Sequence, residues 1–341
     1  MHEGEPIKFA RRNLVIWSPG SCLADIACYV QDSCTMQDTK GQHYVFAEYL
    51  RGWTQEGVLW CMRSNGDTFS AIPRKVGKRR YFYKLVEMTA FEEFFYQRCL
   101  ENACSEARAV QDDWQSRFNG VFARRRAEEA AGVLSEARAN DFDIEIRNIE
   151  EAYLSQIEGK SVRYLDELRC GKLDLLAVSE PQDSLQFFGY FLALQYLRTP
   201  KIAESFNLGL PGFDPAKAPF RHMFAANLGW AFASRRAHHC VRMLEAPSGV
   251  EFITGDQPVY NLHAANSFDP IRGKLSLYYP VSPRFALQVD FDNSEAANSH
   301  SRVSEQSATR LNDFIARMAV EQIYASELKS LERARLAREG L

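Results

Sequence analysis

The residues best able to do chemistry stand at the edges of strongly apolar runs. Asp256 follows the strand-like run from Glu251 to Gly255 and precedes Gln257-Pro258. A carboxylate there can project from a rigid element into a crevice, where it would orient a base or hold a divalent ion. The same Asp can instead shape a turn by bonding its own downstream backbone. Arg198 ends an apolar segment, with Gln195 one turn before it. A guanidinium entering a core requires an anion, supplied either by an internal partner or by a ligand carboxylate or phosphate that Gln195 and Arg198 would bind together. His43, in an aromatic stretch, titrates near neutrality and can serve as a general base or metal ligand, or can sit hydrogen-bonded in the core. Glu93, Gln97 and Glu101 recur four residues apart on one helical face. Glu101 is therefore a candidate acid or base, or a member of a solvated stripe.

A basic run, Arg74, Lys75, Lys78, Arg79 and Arg80, leads into Tyr81-Phe82-Tyr83. That is the composition of a surface that grips a phosphodiester backbone and stacks bases, with Arg79, Arg80 and Tyr83 as contacts. A solvated loop leading into a strand has the same composition. His222 and the His238-His239-Cys240 group form a weaker metal alternative, because consecutive strand residues point to opposite faces. Gly159-Lys160-Ser161 lacks the upstream glycine of a phosphate loop, and no Gly-x-Gly-x-x-Gly, His-Glu-x-x-His or Gly-x-Ser-x-Gly occurs. A divalent ion at Asp256 is thus the one cofactor these residues suggest.

The elements that must position these groups belong to an ordinary globular chain. Its 341 residues are 46% hydrophobic and 25% charged, enough for a sizeable core. A net charge of −3 gives no global attraction to nucleic acid, so such a partner would need the local basic run. The eight cysteines are scattered without zinc-ligand pairing and read as reduced, mostly buried thiols of a cytoplasmic protein. The apolar run from Leu14 to Val30 is broken by Ser18, Pro19, Gly20 and Asp25, so no membrane span is expected.

Residues 1–41 read as an irregular arm and residues 42–341 as one domain. His43 would stand at the mouth of a short aromatic-rich helix reaching Trp53. Strands at 58–62 and 68–72 flank Asn65-Gly66 as a hairpin whose two central turn residues take positive φ. Thr89-x-x-Glu92 has the form of a capping box opening a helix to about Trp114. Helices follow near 121–139, 143–158 and 161–170, with Gly159 and Gly171 as stops. Residues 184–198 are apolar almost all round and belong in the core, and another helix runs from the Gly/Pro-rich link at 209–219 to about Arg236. Strands are expected at 240–244, 250–254, 275–281 and 285–289, and a last helix over 304–336. Helices and strands without strict alternation predict an α+β fold: a mostly helical single domain packed on a small mixed or antiparallel sheet, with an N-terminal β-hairpin.

Several pieces together resemble the DUF4238 family, a domain of unknown function. They are His43-Tyr44-Val45, then Tyr49-Leu50-Arg51 and Trp53, then Gln195-x-x-Arg198-Thr199-Pro200. Phe252-Ile253-Thr254-Gly255-Asp256-Gln257-Pro258-Val259, Tyr279-Pro280-Val281-Ser282-Pro283 and Leu311-Asn312 complete the set, in order, over residues 42–326. The chain has Phe46-Ala47 where the family usually has Pro-Gln, and Gly255 where a Ser commonly precedes the Asp. The resemblance implies that His43, Arg198 and Asp256 converge, and it implies no activity. From the residue types, the expected function is hydrolysis of a phosphodiester or nucleotide, as in a nuclease-like effector. Arg198 would meet phosphate, His43 or Glu101 would act as base or acid, and Asp256 would orient the base or hold the ion. A non-catalytic binding or interaction protein, with the same polar residues knitting the core, is the alternative. A small-molecule sensor would need an apolar pocket beside Arg198.

Overall fold

The computed structural model of the chain describes residues 38–101, 105–205, 212–263, 275–291 and 299–340. Most of the expected N-terminal arm, residues 1–37, lies outside these. Strand β1 (Gly41–His43) pairs antiparallel with β4 (Lys78–Arg80), and His43 lies opposite Lys78. His43 therefore closes a strand instead of opening a helix. The helix itself is one turn, α1 (Ala47–Leu50), continued by a 3-10 turn through Trp53.

Between them β2 (Leu59–Arg63) and β3 (Thr68–Ala71) form the expected hairpin. Its turn differs in kind. Met62 pairs with Thr68, and Arg63 N donates to Asp67 O at 2.9 Å, so three residues, Ser64, Asn65 and Gly66, make the loop. Gly66 alone has positive φ there, at 88°. This is the three-residue loop with glycine in the left-handed position, which matches strand twist as well as a two-residue turn does.

Among the described residues seven α-helices follow: α2 (Ala90–Leu100), α3 (Ser105–Phe118), α4 (Gly120–Ala130), α5 (Glu136–Arg169), α6 (Gln182–Leu197), α7 (Pro200–Ser205) and α8 (Ala218–Ser234). The Thr89 capping box is present in both directions. Thr89 Oγ1 accepts from Glu92 N at 3.2 Å, and Glu92 Oε2 accepts from Thr89 N at 2.7 Å. Two helices expected on either side of Gly159 are one, α5, because Tyr153, Leu154, Ile157, Ser161, Tyr164, Leu165 and Leu168 keep a single buried face across the glycine. An interior glycine costs about 1 kcal/mol, which that continuous burial outweighs. Gly171, with φ of 76°, does follow the end of α5.

Helix α6 is buried on all sides, as its sequence requires. It crosses α8 where Gly189 meets Gly229: a Cβ added at Gly229 would lie 2.6 Å from Tyr190 N and 2.8 Å from Gln186 O. These obstacles are backbone atoms and cannot swing aside. Gly229→Ala is expected to cost about 2–3 kcal/mol of stability in urea unfolding. A variant with the wild-type midpoint would mean the helices can part freely.

The C-terminal half contains β5 (Cys240–Glu245), β6 (Thr254–Gly255), β7 (Tyr260–Asn261), β8 (Ser276–Pro280), β9 (Phe285–Asp290), β10 (Ser299–Arg302), α9 (Glu305–Met318), β11 (Gln322–Ala325) and α10 (Leu328–Glu339). Among the described residues two larger sheets result, ordered β10-β5-β9-β8-β7 and β3-β2-β11-β6, and every pairing there except β10 with β5 is antiparallel. The single last helix expected over 304–336 is instead two helices with β11 between them. Gln322-Ile323-Tyr324 is good strand material, and β11 finds partners on both sides in β2 and β6. The strand expected at 250–254 shrinks to Thr254–Gly255. The residues before it bond elsewhere: Ile253 N donates to Asn312 Oδ1 at 3.1 Å, and Glu251 accepts from Glu327 N at 3.0 Å. The architecture is α+β, mostly helical with small, mainly antiparallel sheets. Among the described residues no helix is long and apolar enough to cross a membrane.

Candidate functional site

Helix α5 carries the acids of the interior. Glu151 and Glu158 are seven residues apart, two helical turns, so both face the end of α6 where Arg198 stands. Arg198 is 0% exposed; its Nη1 lies 2.5 Å from Glu158 Oε1, and its Nη2 donates to Gln195 Oε1 at 2.9 Å. The anion required by this buried guanidinium is thus internal. Burial opposes the Arg198 charge, but the surrounding groups, Glu158 and Glu151 among them, outweigh it and keep the side chain protonated.

His43 approaches the same acids from β1. The Glu151 carboxylate faces the His43 backbone N–H. Tyr83 Oη donates to His43 O at 3.2 Å, and the buried Gln42 fixes the strand by accepting from Tyr83 N at 2.7 Å and donating to Arg147 O at 2.5 Å. The imidazole Nε2 sits 3.3 Å from Arg74 O. His43, Tyr83, Gln195 and Arg198 are therefore brought together, and Glu151 and Glu158 complete the group.

The electrostatics of the group are unusual. Burial pushes the Glu151 carboxyl up to about 7, the Glu158 charge adds to this, and Arg198 and the His43 N–H pull the other way. Burial also raises Glu158, against the pull of Arg198. Burial lowers His43; its bond to Arg74 O opposes that, and the Lys78, Arg198 and Arg74 charges lower it further. At neutral pH the cluster thus offers a neutral imidazole and, facing the backbone N–H of the same residue, a carboxyl group that is part protonated. Glu151 and His43 are partly exposed, whereas Arg198, Gln195, Tyr83 and Glu158 lie behind them.

Asp256 ends β6 as expected but turns to the neighbouring strand. Its carboxylate accepts from Val320 N at 3.0 Å, from Gln322 N at 3.2 Å and from Glu321 N. Burial raises its carboxyl while these backbone donors pull it down. It neither bonds its own downstream backbone nor is joined to His43 or Arg198 by any hydrogen bond or ion pair among the described residues. Gly255 is closely packed: a Cβ there would lie 2.6 Å from Tyr260 Oη and 3.2 Å from Ala319 Cβ, so a serine requires these two side chains to shift.

Glu101 lies on the surface and pairs with Arg98 at 2.5 Å, while Glu93 accepts from Asn119 and Gln97 donates to Gln115. The stripe of α2 is thus used locally. Arg79 pairs with Glu321, which also accepts from Tyr44 Oη at 2.7 Å. Arg80 is exposed and covers the Tyr81 ring, its guanidinium carbon 5.2 Å from the ring centroid. Phe82 packs on Tyr44 and Tyr83, so the basic run's aromatics are largely taken up by packing. His222 joins a separate buried network: its Nδ1 is 2.6 Å from Tyr190 Oη, its Nε2 is 3.5 Å from Glu150 Oε1, and Glu150 also holds Arg221 at 3.1 Å. His239 is bonded to Ala231 O at 3.0 Å. Among the described residues no three His, Cys, Asp or Glu gather as metal ligands.

Sequence reasoning missed Glu151 and Glu158. The available signal was their seven-residue spacing within the helix expected at 143–158, which puts both on one face; that Arg198 meets this face is decided by the packing of another element. The family model DUF4238, described as a protein of unknown function, matches residues 41–218 and 214–329. No curated protein and no solved structure matches the chain.

Proposed function

The chain belongs to the DUF4238 family, and from the geometry of its own residues we propose that it is a hydrolase of a phosphodiester or nucleotide with Glu151 as its base. The observation that carries this reading is the convergence of Glu151, His43 and the Glu158–Arg198 pair below a basic rim formed by Arg74 and Lys78. A base poised near neutrality combines an adequate ionised fraction with useful proton affinity. In the reaction, a water oxygen bonds to phosphorus as its proton passes to Glu151. The ester P–O bond breaks, and the proton returns to the leaving oxygen. His43, neutral at this pH, orients the water. The rim cations favour the anionic substrate. Arg198 and Glu158 act through Glu151 by setting its proton affinity, so they are positioning residues.

The test is turnover of bis(4-nitrophenyl) phosphate, labelled RNA, single-stranded DNA and nucleotides, with and without Mg²⁺ or Mn²⁺. Glu151→Gln is expected to lose about 100-fold in rate, and the wild-type rate should rise as pH passes about 7. No wild-type turnover in any arm, or equal rates for the variant, would leave the binding-protein reading, which the burial of the Arg198–Glu158 pair favours.

Stability supplies a second readout of the same group. The Glu151 carboxyl is raised from 4.5 to about 7, so between those values the folded chain binds more protons than the unfolded chain. Stability therefore falls as pH rises through this window. Glu151→Gln should remove that fall and stabilise the protein by on the order of 2 kcal/mol at pH 8 relative to pH 5, measured by urea unfolding at both.

A further inference from the structure

Beside His43 lies an open-sided cavity of about 460 Å³. Phe46, Ala47, Ile72 and Pro73 make its apolar walls, and Arg51 and Arg74 stand among its lining residues. It adjoins the candidate site, because Arg74, one of its lining residues, meets His43 Nε2 through its carbonyl. Its volume falls in the range of small-molecule sites.

The cavity wall is held in place. Arg169 Nη2 donates to Glu48 O at 2.5 Å and to Tyr49 O at 3.1 Å, clamping α1 from behind. A Cβ on Gly52 would lie 2.5 Å from Val281 O, so the turn after α1 sits directly on the chain beneath it. On the opposite wall Ile72 is 45% exposed, a large aliphatic side chain left uncovered at the cavity.

The two cations are not equivalent. Arg51 is paired with Glu48 at 2.9 Å, so its charge is met within the wall. Arg74 is exposed, and among the described residues no carboxylate pairs with it. An apolar cavity with a flat Phe ring and proline, and one unmatched guanidinium beside them, suits a ligand with a planar ring and a single anionic group. We propose that this cavity binds the ring of an aromatic phosphate ester, with Arg74 on the phosphate. That the bound ester is a substrate rests on the hydrolase reading; that the cavity binds it does not.

Phenyl phosphate is the probe, with phenol and inorganic phosphate as its two halves, and binding is followed by calorimetry and ligand-detected NMR. Wild type should bind phenyl phosphate at least about tenfold more tightly than inorganic phosphate or phenol. Arg74→Gln, at an exposed position, should weaken phenyl phosphate about tenfold and leave phenol unchanged. Ala47→Trp, which fills the cavity, should abolish binding, with circular dichroism confirming its fold. Phenyl phosphate binding no tighter than inorganic phosphate, or unchanged by both Arg74→Gln and Ala47→Trp, overturns the cavity assignment even if the hydrolase turns over. Binding with these variant effects but without turnover of bis(4-nitrophenyl) phosphate, RNA, single-stranded DNA or nucleotides upholds the cavity and refutes the hydrolase.

Discussion

Replacing Glu158 by leucine is expected to lower the free energy of unfolding by about 3–5 kcal/mol. The substitution leaves the Arg198 guanidinium, 0% exposed and 2.5 Å from the lost carboxylate, without its ion-pair partner in the core. Gln195 Oε1 remains as its acceptor, and Glu151, which makes no ion pair with it, is the remaining acid of the group. The double variant Glu158→Leu/Arg198→Met should recover most of the loss, since removing both charges also removes the cost of burying either. Urea unfolding of the two single variants and the double variant gives the coupling directly. A loss under about 1 kcal/mol for Glu158→Leu would mean that Arg198 reaches solvent, as exposed pairs contribute no more than that.

Asp256→Ala should be nearly as damaging, at about 4 kcal/mol, because three backbone N–H groups of the segment leading into β11 lose their acceptor together. Asp256→Asn, with one acceptor oxygen in place of two, should lose about half as much. Hydrogen exchange locates the effect. The amides of Val320, Glu321 and Gln322 should exchange faster in both variants, and those of α6 only as far as global stability falls. Wild-type exchange at these three amides in Asp256→Ala would show that the carboxylate does not hold this segment. The outcome also bears on function, since a carboxylate occupied by three donors is a structural anchor.

Local chemistry in the sequence accounts for much of what was legible. Thr89 and Glu92 satisfy each other across one turn, Gly171 ends α5 with a positive φ, and the apolar circumference of α6 admits no position but the core. Each depends on residues within a few positions of one another. Gly159 misled for the converse reason: whether a glycine stops a helix depends on whether the burial beyond it continues, and that burial is provided by elements distant in sequence. Strand β11 was lost inside a helical pattern because its partners, β2 and β6, come from residues about 260 and 70 positions earlier.

The candidate site divides the same way. Residue type and position on the chain singled out His43, Gln195, Arg198 and Tyr83, and the tertiary structure brings these four together. Asp256 and Glu101 were chosen on equal grounds, but one is spent on backbone donors and the other on a surface arginine. Glu151 and Glu158 looked like ordinary helix acids, because a carboxylate on an amphipathic helix reads the same whether water or a guanidinium faces it. The sequence by itself determined the family, the α+β class and which segments must be buried, since these follow from periodicity, turn chemistry and local motifs. Only the tertiary structure decided which acid meets Arg198 and which one is left near neutrality beside His43. Proton affinity is set by burial and by charges a few ångströms away, and those neighbours come from β1, α5 and α6, far apart along the chain.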